Sequence, residues 1–305
     1  MKIFSGSSNL ALAQGIGDYL HIPLGAIELG EFPGGETFVQ INEEVRNEDT
    51  FIIQSTHHPA NQHIMEMLMI IDALRRASAY RVTAVLPYFG YARQDRPDKS
   101  HVPITAKLIA NLLVTAGVDR ILTMDLHSPQ MLGFFDIPVD HLSAIPIMIN
   151  HIRTWDWDYE NTVICSPDIG GIKMAIAYAD ALNCPLVVMR KQRLDRTRVA
   201  ITHIIGEVRN KHILLVDDIV ETAGTLSAAA QWLKENGALS IKAAVVHHIL
   251  TPAGQERLKN SAIELLITTN TTAVHRNEVI PAVKLDLCPF FGEAIRQIHN
   301  HRSPK

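Results

Sequence analysis

The stretch HILLVDDIVETAGTLSAAAQWLKENG, residues 212–237, sets a strand, two carboxylates, a turn of small residues and a helix in direct succession. Residues 213–216 are apolar and too few for a helix, and Asp217 and Asp218 follow where such a strand surfaces at its carboxyl end. Ligands of open α/β sheets sit at those ends. Thr222, Ala223, Gly224 and Thr225 then offer small side chains, two hydroxyls and a run of backbone N–H groups ahead of a helix whose apolar positions include Leu226, Ala230 and Leu233. Backbone donors at a helix N-terminus make an anion site. The two Asp cannot hold an anion, but they accept hydrogen bonds from hydroxyls or hold the water shell of Mg²⁺. Read alone, the same residues also fit a Thr-capped helix with two solvated acids.

Outward from this stretch, apolar strand-like runs alternate with helical patterns at residues 51–54, 82–87, 121–124, 163–165, 186–189, 213–216, 243–246 and 265–268. That alternation predicts an α/β fold of parallel sheets with helices on both faces. The 305 residues fit two domains, and 47% hydrophobic content suffices for their cores. The division is placed at 146/147, with the Trp155 to Asp158 stretch as the best candidate for a joint. Residues 64–77 carry a Met/Leu/Ile stripe at helical spacing and read as packing. Lys plus Arg number 28 against 32 Asp plus Glu, so nothing in the overall charge draws the chain to nucleic acid or to an anionic membrane. The three widely spaced cysteines exclude a disulfide framework and fit a reducing cytosol. The N-terminus has neither a secretory signal nor an anchor pattern, and no window approaches a transmembrane span.

Five other stretches bear chemistry. EFPGGETFVQI (31–41) turns at Gly34 and Gly35 and exposes Glu36 beside Phe32. LPYFGYARQDRPDKSHVPIT (86–105) strings Tyr88, Phe89 and Tyr91 among Arg93, Arg96 and Lys99, aromatic faces for a base and guanidinium forks for phosphate. TMDLHSPQMLGFFDIPVDHLSA (123–144) places Asp125 and His127 after a strand, where alternation would point them the same way. VICSPDIGGIKMA (163–175) exposes Asp168 at a Gly-Gly turn, as a helix N-cap or as a ligand. VVMRKQRLDRTR (187–198) leaves a strand as a cationic loop with Arg190, Lys191, Arg193, Arg196 and Arg198.

VDDIVETAGTL resembles the ribose-5-phosphate loop shared by phosphoribosyltransferases and ribose-phosphate pyrophosphokinases, with Glu221 where these families usually have Asp. YFGYARQDR, DLHSPQMLGFFDIPVD, SPDIGG, the Lys191/Arg193 pair and FFGEAIRQIHN are similar to the corresponding strings of the pyrophosphokinase family. The resemblance implies two phosphoribosyltransferase-like domains, 1–146 and 147–305, each a mainly parallel sheet flanked by helices. It implies diphosphoryl transfer from MgATP to the 1-hydroxyl of ribose 5-phosphate, with Lys191 and Arg193 catalytic. By the same resemblance Phe32, Gly34, Gly35, Glu36, Arg93 and Gln94 meet ATP, with Pro33 and Gly34 replacing the usual Ser and Asp. Arg193, Asp217, Asp218, Glu221, Thr222, Ala223, Gly224 and Thr225 meet ribose 5-phosphate, and His127 and Asp168 ligate Mg²⁺. A cytoplasmic homohexamer built from dimers, with no nucleic-acid or membrane partner, is the implied setting. A phosphoribosyltransferase would have no use for residues 86–105, and a non-catalytic regulatory subunit would lack the catalytic side chains present here.

Overall fold

A parallel strand covered by helices on both faces has no solvent side for polar residues, so the Val/Ile/Leu runs of this chain become inner strands. The computed structural model describes residues 1–193, 199–273 and 279–304, and the side chains of residues 191–193 and 199–202 lie outside that description. The chain falls into two units. The first comprises Met1–Ser143, Thr271–Ala273 and the residues from Asp286 onward, and the second comprises Ala144–Asn270 together with the strand Ala282–Leu285. The sequence assigns everything after 146 to the second unit; in the structure the last helix packs in the first.

In the first unit, β1 (Lys2–Ser5) leads through α1 (Leu10–Leu20) to an antiparallel hairpin, β2 (Ile27–Glu31) and β3 (Thr37–Ile41). Then β4 (Asp49–Ile53), α2 (Ala60–Arg76), β5 (Arg81–Leu86), α3 (Thr105–Ala116), β6 (Arg120–Met124) and β7 (Val139–Leu142) follow. The sheet order is β1-β4-β5-β6-β7, parallel throughout. Leu24 forms a single parallel bridge to Ile3 on the side of β1 away from β4. The stripe on α2 does what its spacing requires: Ile64, Met67, Ile70, Ile71 and Leu74 bury against Phe4, Ile52 and Leu86. The last helix, here called α8 and spanning Cys288–His299, buries Phe291, Ile295 and Ile298 and packs on α1.

In the second unit, α4 (Ile145–Ile152), β8 (Thr162–Ser166), α5 (Ile172–Leu182), β9 (Leu186–Arg193) and β10 (Val199–Ile205) precede β11 (His212–Val220) and α6 (Gly224–Glu235). β12 (Ser240–His248), α7 (Pro252–Lys259), β13 (Leu265–Thr269) and β14 (Ala282–Leu285) complete it. The order is β10-β9-β8-β11-β12-β13-β14, with only β10 antiparallel to its neighbour. The chain leaves β8 toward β9 on one side and returns to β11 on the other, so the strand order reverses there. That gap is the topological switch point, where such sheets bind ligands.

The C-terminal helix is latched to the first sheet by charge. Asp49 is buried, accepts from Arg81 Nε at 2.8 Å and Nη2 at 2.5 Å, and takes His299 Nδ1 at 2.7 Å. Arg81 Nη2 also donates to the Ile298 carbonyl at 3.1 Å. Asp49→Ala leaves the Arg81 guanidinium poorly solvated and unpaired, and urea unfolding should show a loss of about 3 kcal/mol, the usual cost of removing one partner from a buried ion pair. An unchanged midpoint and slope would mean the pair is solvent-screened and of no consequence.

Candidate active site

β11 pairs with β8 only as far as Leu215↔Cys165, whereas its pairing with β12 continues to Val220↔His248. Past Leu215 one side of β11 is open, and Asp217 and Asp218 lie in that stretch. The sequence ends the strand before these two acids; the structure carries it through them. Asp168, in the turn after β8, crowds the same crevice. Burial, then the Asp218 charge, then the Asp168 charge hold the Asp217 carboxyl well above the usual carboxylate range. One oxygen of Asp168 accepts the N–H groups of Gly170 at 2.8 Å and Gly171 at 3.2 Å, so the residue ties the turn ahead of α5. Oxygen donors that repel one another are the set a hard divalent cation relieves. Among the described residues, no group of three or more His, Cys, Asp or Glu is arranged to hold a metal by itself.

Beyond β11, Glu221 and Thr222 lead to Ala223, which precedes α6 in the left-handed region with φ of 53°. Ala223, at the N-cap, brings no side-chain group that could cap this helix. The loop at 221–223 thus runs straight into the N-terminus of α6, the end of a helix whose dipole and N–H groups favour anions. The loop is supported from behind by the connection between β12 and α7, a role that residues 249–257 gave no sign of in the sequence because they lie about thirty positions away.

The first unit repeats the strand plan but fills its crevice. At the end of β1 the Ser7 N–H donates to Glu66 at 2.7 Å and the Ser8 N–H to Gln54 at 3.0 Å, while Gln54 donates to Glu66 at 2.5 Å. Glu66 and Gln54 are both buried. The loop donors here face an internal carboxylate and an internal amide.

Phe32, Gly34, Gly35 and Glu36 form the turn of the β2–β3 hairpin, with Phe32 N–H bonded to Glu36 O at 2.8 Å and Gly35 at φ 82°. Phe32 is exposed and rests edge-on against Phe38 at 5.5 Å, beside an open groove of about 530 Å³ reaching Leu68 and Arg76. Arg93 and Gln94 follow β5 and are exposed. Gln94 Oε1 accepts from the Thr105 hydroxyl at 2.6 Å, which ties the loop to α3. The aromatic face expected beside them is not offered by Phe89, which is 3% exposed and packs edge-on against Phe135 at 5.9 Å, nor by Tyr88, which is also buried. The strand alternation expected to align Asp125 with His127 does not reach them. β6 ends at Met124, Asp125 turns with φ 37° and is buried against Ser143, and His127 is exposed. Between them the Leu126 N–H donates to His141 Nε2 at 3.0 Å, whose ring burial disfavours its protonation.

Lys191 and Arg193 sit on the last residues of β9, opposite Ile201 and Val199 of β10, where the sequence shows only a loop. Their side chains, and residues 194–198 with Arg196 and Arg198, lie outside the described residues.

A mainly parallel sheet with acids and a backbone cradle at its switch point defines a domain of the phosphoribosyltransferase class, and residues 139–278 match the phosphoribosyl transferase domain. Residues 1–117 match the N-terminal domain of ribose phosphate pyrophosphokinase. The ribose-phosphate pyrophosphokinase of Clostridium tetani is 46% identical, over 99% of this chain and 95% of that protein, and that of Chlorobaculum tepidum 47% identical, over 99% and 93%. The crystal structure of phosphoribosylpyrophosphate synthetase from Mycobacterium smegmatis superposes with a TM-score of 0.92 at 36% identity, covering 98% of this chain and 99% of that one. The chain belongs to the ribose-phosphate pyrophosphokinase family.

Crowding at Asp217 has a sign that can be measured. A carboxyl whose pKa is raised by folding contributes stability below its unfolded value and loses it as pH rises toward the folded value, so at neutral pH the Asp217 carboxyl opposes folding. In the metal-free, substrate-free protein at pH 7, Asp217→Asn should raise the melting temperature by about 3 °C, the shift for roughly 1 kcal/mol in a domain of this size. A lower melting temperature would show that the carboxylate is stabilised where it stands.

Proposed function

We propose that the protein transfers the β,γ-diphosphoryl group of ATP to the 1-hydroxyl of ribose 5-phosphate, giving 5-phosphoribosyl 1-diphosphate and AMP for nucleotide biosynthesis. The hydroxyl oxygen bonds to the β-phosphorus, the bond from that phosphorus to the α,β-bridging oxygen breaks, AMP leaves with the oxygen, and the hydroxyl proton is released. The observation that carries this reading is the open switch point of the second unit, where acids and a backbone cradle share the carboxyl end of β11. Full-length similarity to proteins named for this reaction supports it.

In this reading the loop at 221–225 takes the 5-phosphate on its N–H groups and hydroxyls, and Asp217, with Asp218 beside it, accepts from the ribose hydroxyls. Arg93 and Gln94, with the hairpin turn of Phe32, Gly34, Gly35 and Glu36, receive ATP. Mg²⁺, held by His127 and Asp168, would supply charge neutralisation on the phosphates. Transfer of this kind rests on positioning and charge rather than on a protein nucleophile, which assigns Lys191 and Arg193 to the oxygens of the moving diphosphoryl group. The enzyme works in the cytoplasm as a homohexamer built from dimers.

Mixing the protein with ribose 5-phosphate and MgATP should yield AMP and phosphoribosyl diphosphate in equal amounts. ADP as the direct product would mean γ-phosphoryl transfer and would overturn the proposal. Lys191→Ala should lower kcat by at least about 100-fold with a smaller effect on KM, the typical loss for one preorganised transition-state contact; an unchanged kcat would move the role elsewhere in the loop.

A further inference from the structure

Three consecutive carbonyl groups at and just past the end of β11 are each taken by a donor from the connection between β12 and α7 or from α7 itself. Val220 O accepts the Ile249 N–H at 2.9 Å, Glu221 O accepts the Thr251 N–H at 3.0 Å, and Thr222 O accepts Arg257 Nη1 at 3.1 Å. The Thr251 hydroxyl adds a longer bond to the same Glu221 oxygen, at 3.4 Å. A trans peptide is planar, and its C=O points away from the N–H of the next residue. Fixing the carbonyls of 220, 221 and 222 against α7 therefore turns the N–H groups of 221, 222 and 223 to the opposite side of the loop.

The last of the three planes is the demanding one. It joins Thr222 to Ala223, and Ala223 holds a left-handed conformation that a residue with a Cβ enters only at a cost and keeps only where its surroundings impose it. Ala223 is buried, and α6 begins directly after it with no side-chain cap. The Arg257 guanidinium is the group that meets the carbonyl of this plane. α7 is in turn held close: Gly254 is buried, and a Cβ there would run into the Glu221 carbonyl oxygen. Ser227, in the first turn of α6, donates to the Arg257 carbonyl at 3.4 Å, so the two helices are tied around the loop.

We propose that Arg257 is a positioning residue for sugar-phosphate binding: by holding the Thr222 carbonyl it aims the Ala223 N–H into the anion cradle. This rests on the reading of residues 221–225 as the 5-phosphate cradle. Arg257 is half-buried on a short surface helix, so its replacement leaves the sheet and its core in place.

The test is steady-state kinetics on the full-length protein with both substrates varied. Arg257→Met, which keeps the stem and removes the donor, should raise KM for ribose 5-phosphate by about tenfold, the loss expected for a charged hydrogen bond, and leave KM for ATP within about twofold. Arg257→Lys, which restores a cationic donor, should recover ribose 5-phosphate KM to within about threefold of the parent. A general structural role would move both KM values and the melting temperature together, and would overturn the proposal. Thr225→Val separates the two levels of the argument. If it weakens ribose 5-phosphate while Arg257→Met does not, the cradle stands and the positioning role is wrong. If neither variant changes ribose 5-phosphate KM, the cradle itself lies elsewhere and the role of Arg257 falls with it.

Discussion

The loss of strand pairing beyond Leu215 is the constraint on which the site depends. β11 must keep β12 to hold its direction, yet it must part from β8 to leave room for a ligand. Backbone groups on the open side then need partners from loops, from solvent or from what binds there. Here Asp217 accepts the N–H of Asp218 at 3.0 Å, and acids gather in the gap. Charge concentrated in a narrow, poorly solvated gap is unfavourable until something positive or hydroxyl-rich enters. The second unit thus holds its functional groups at some expense to its own stability, as binding sites built ahead of their ligands commonly do.

The first unit shows the alternative outcome of the same plan. Its sheet runs in one direction from β1 at its edge, with Leu24 as a single bridge on the other side, and the corresponding crevice lies at the end of β1 beside β4. There the gap is closed by Gln54 and Glu66, whose side chains accept the loop N–H groups from inside the fold. A carboxylate that accepts one loop N–H and one side-chain amide is an internal counterpart of a bound anion. A strand plan alone therefore does not assign a ligand; the side chains at its switch point do.

What could be read in the sequence divides along physical lines. The strands visible as apolar runs are interior ones, with neighbours on both sides and mostly apolar, buried residues. β1, β7, β10 and β14, which no such run marks out, lie at the edges of the two main sheets; β7 and β14 are only partly buried, and β1 is buried but only four residues long. The strand, loop and helix around 221–225 were legible because their residues are contiguous. The support given by Thr251 and Arg257 was not, since hydrogen bonds to carbonyl oxygens leave no signature in residue type. Phe89 and Tyr88 were misread for a related reason: an aromatic among arginines looks like a platform for a base, but nothing local tells which ring turns inward. The argument that aligned Asp125 with His127 does not apply, because alternation holds only while the strand lasts and β6 ends before both.

The return of α8 to the first unit makes the second unit, in chain order, an insertion within the first. Cys288 meets the Leu12 carbonyl across 276 positions of sequence, and His299 meets Asp49 across 250. During synthesis the second unit's central strands are all available before these contacts can form, whereas α1 waits for its covering helix until almost the whole chain has emerged. Contacts so distant in sequence close late because chain entropy must be overcome first. The face of α1 around Gly15, which α8 later covers, is thus the apolar surface most at risk of meeting another nascent chain instead of its own.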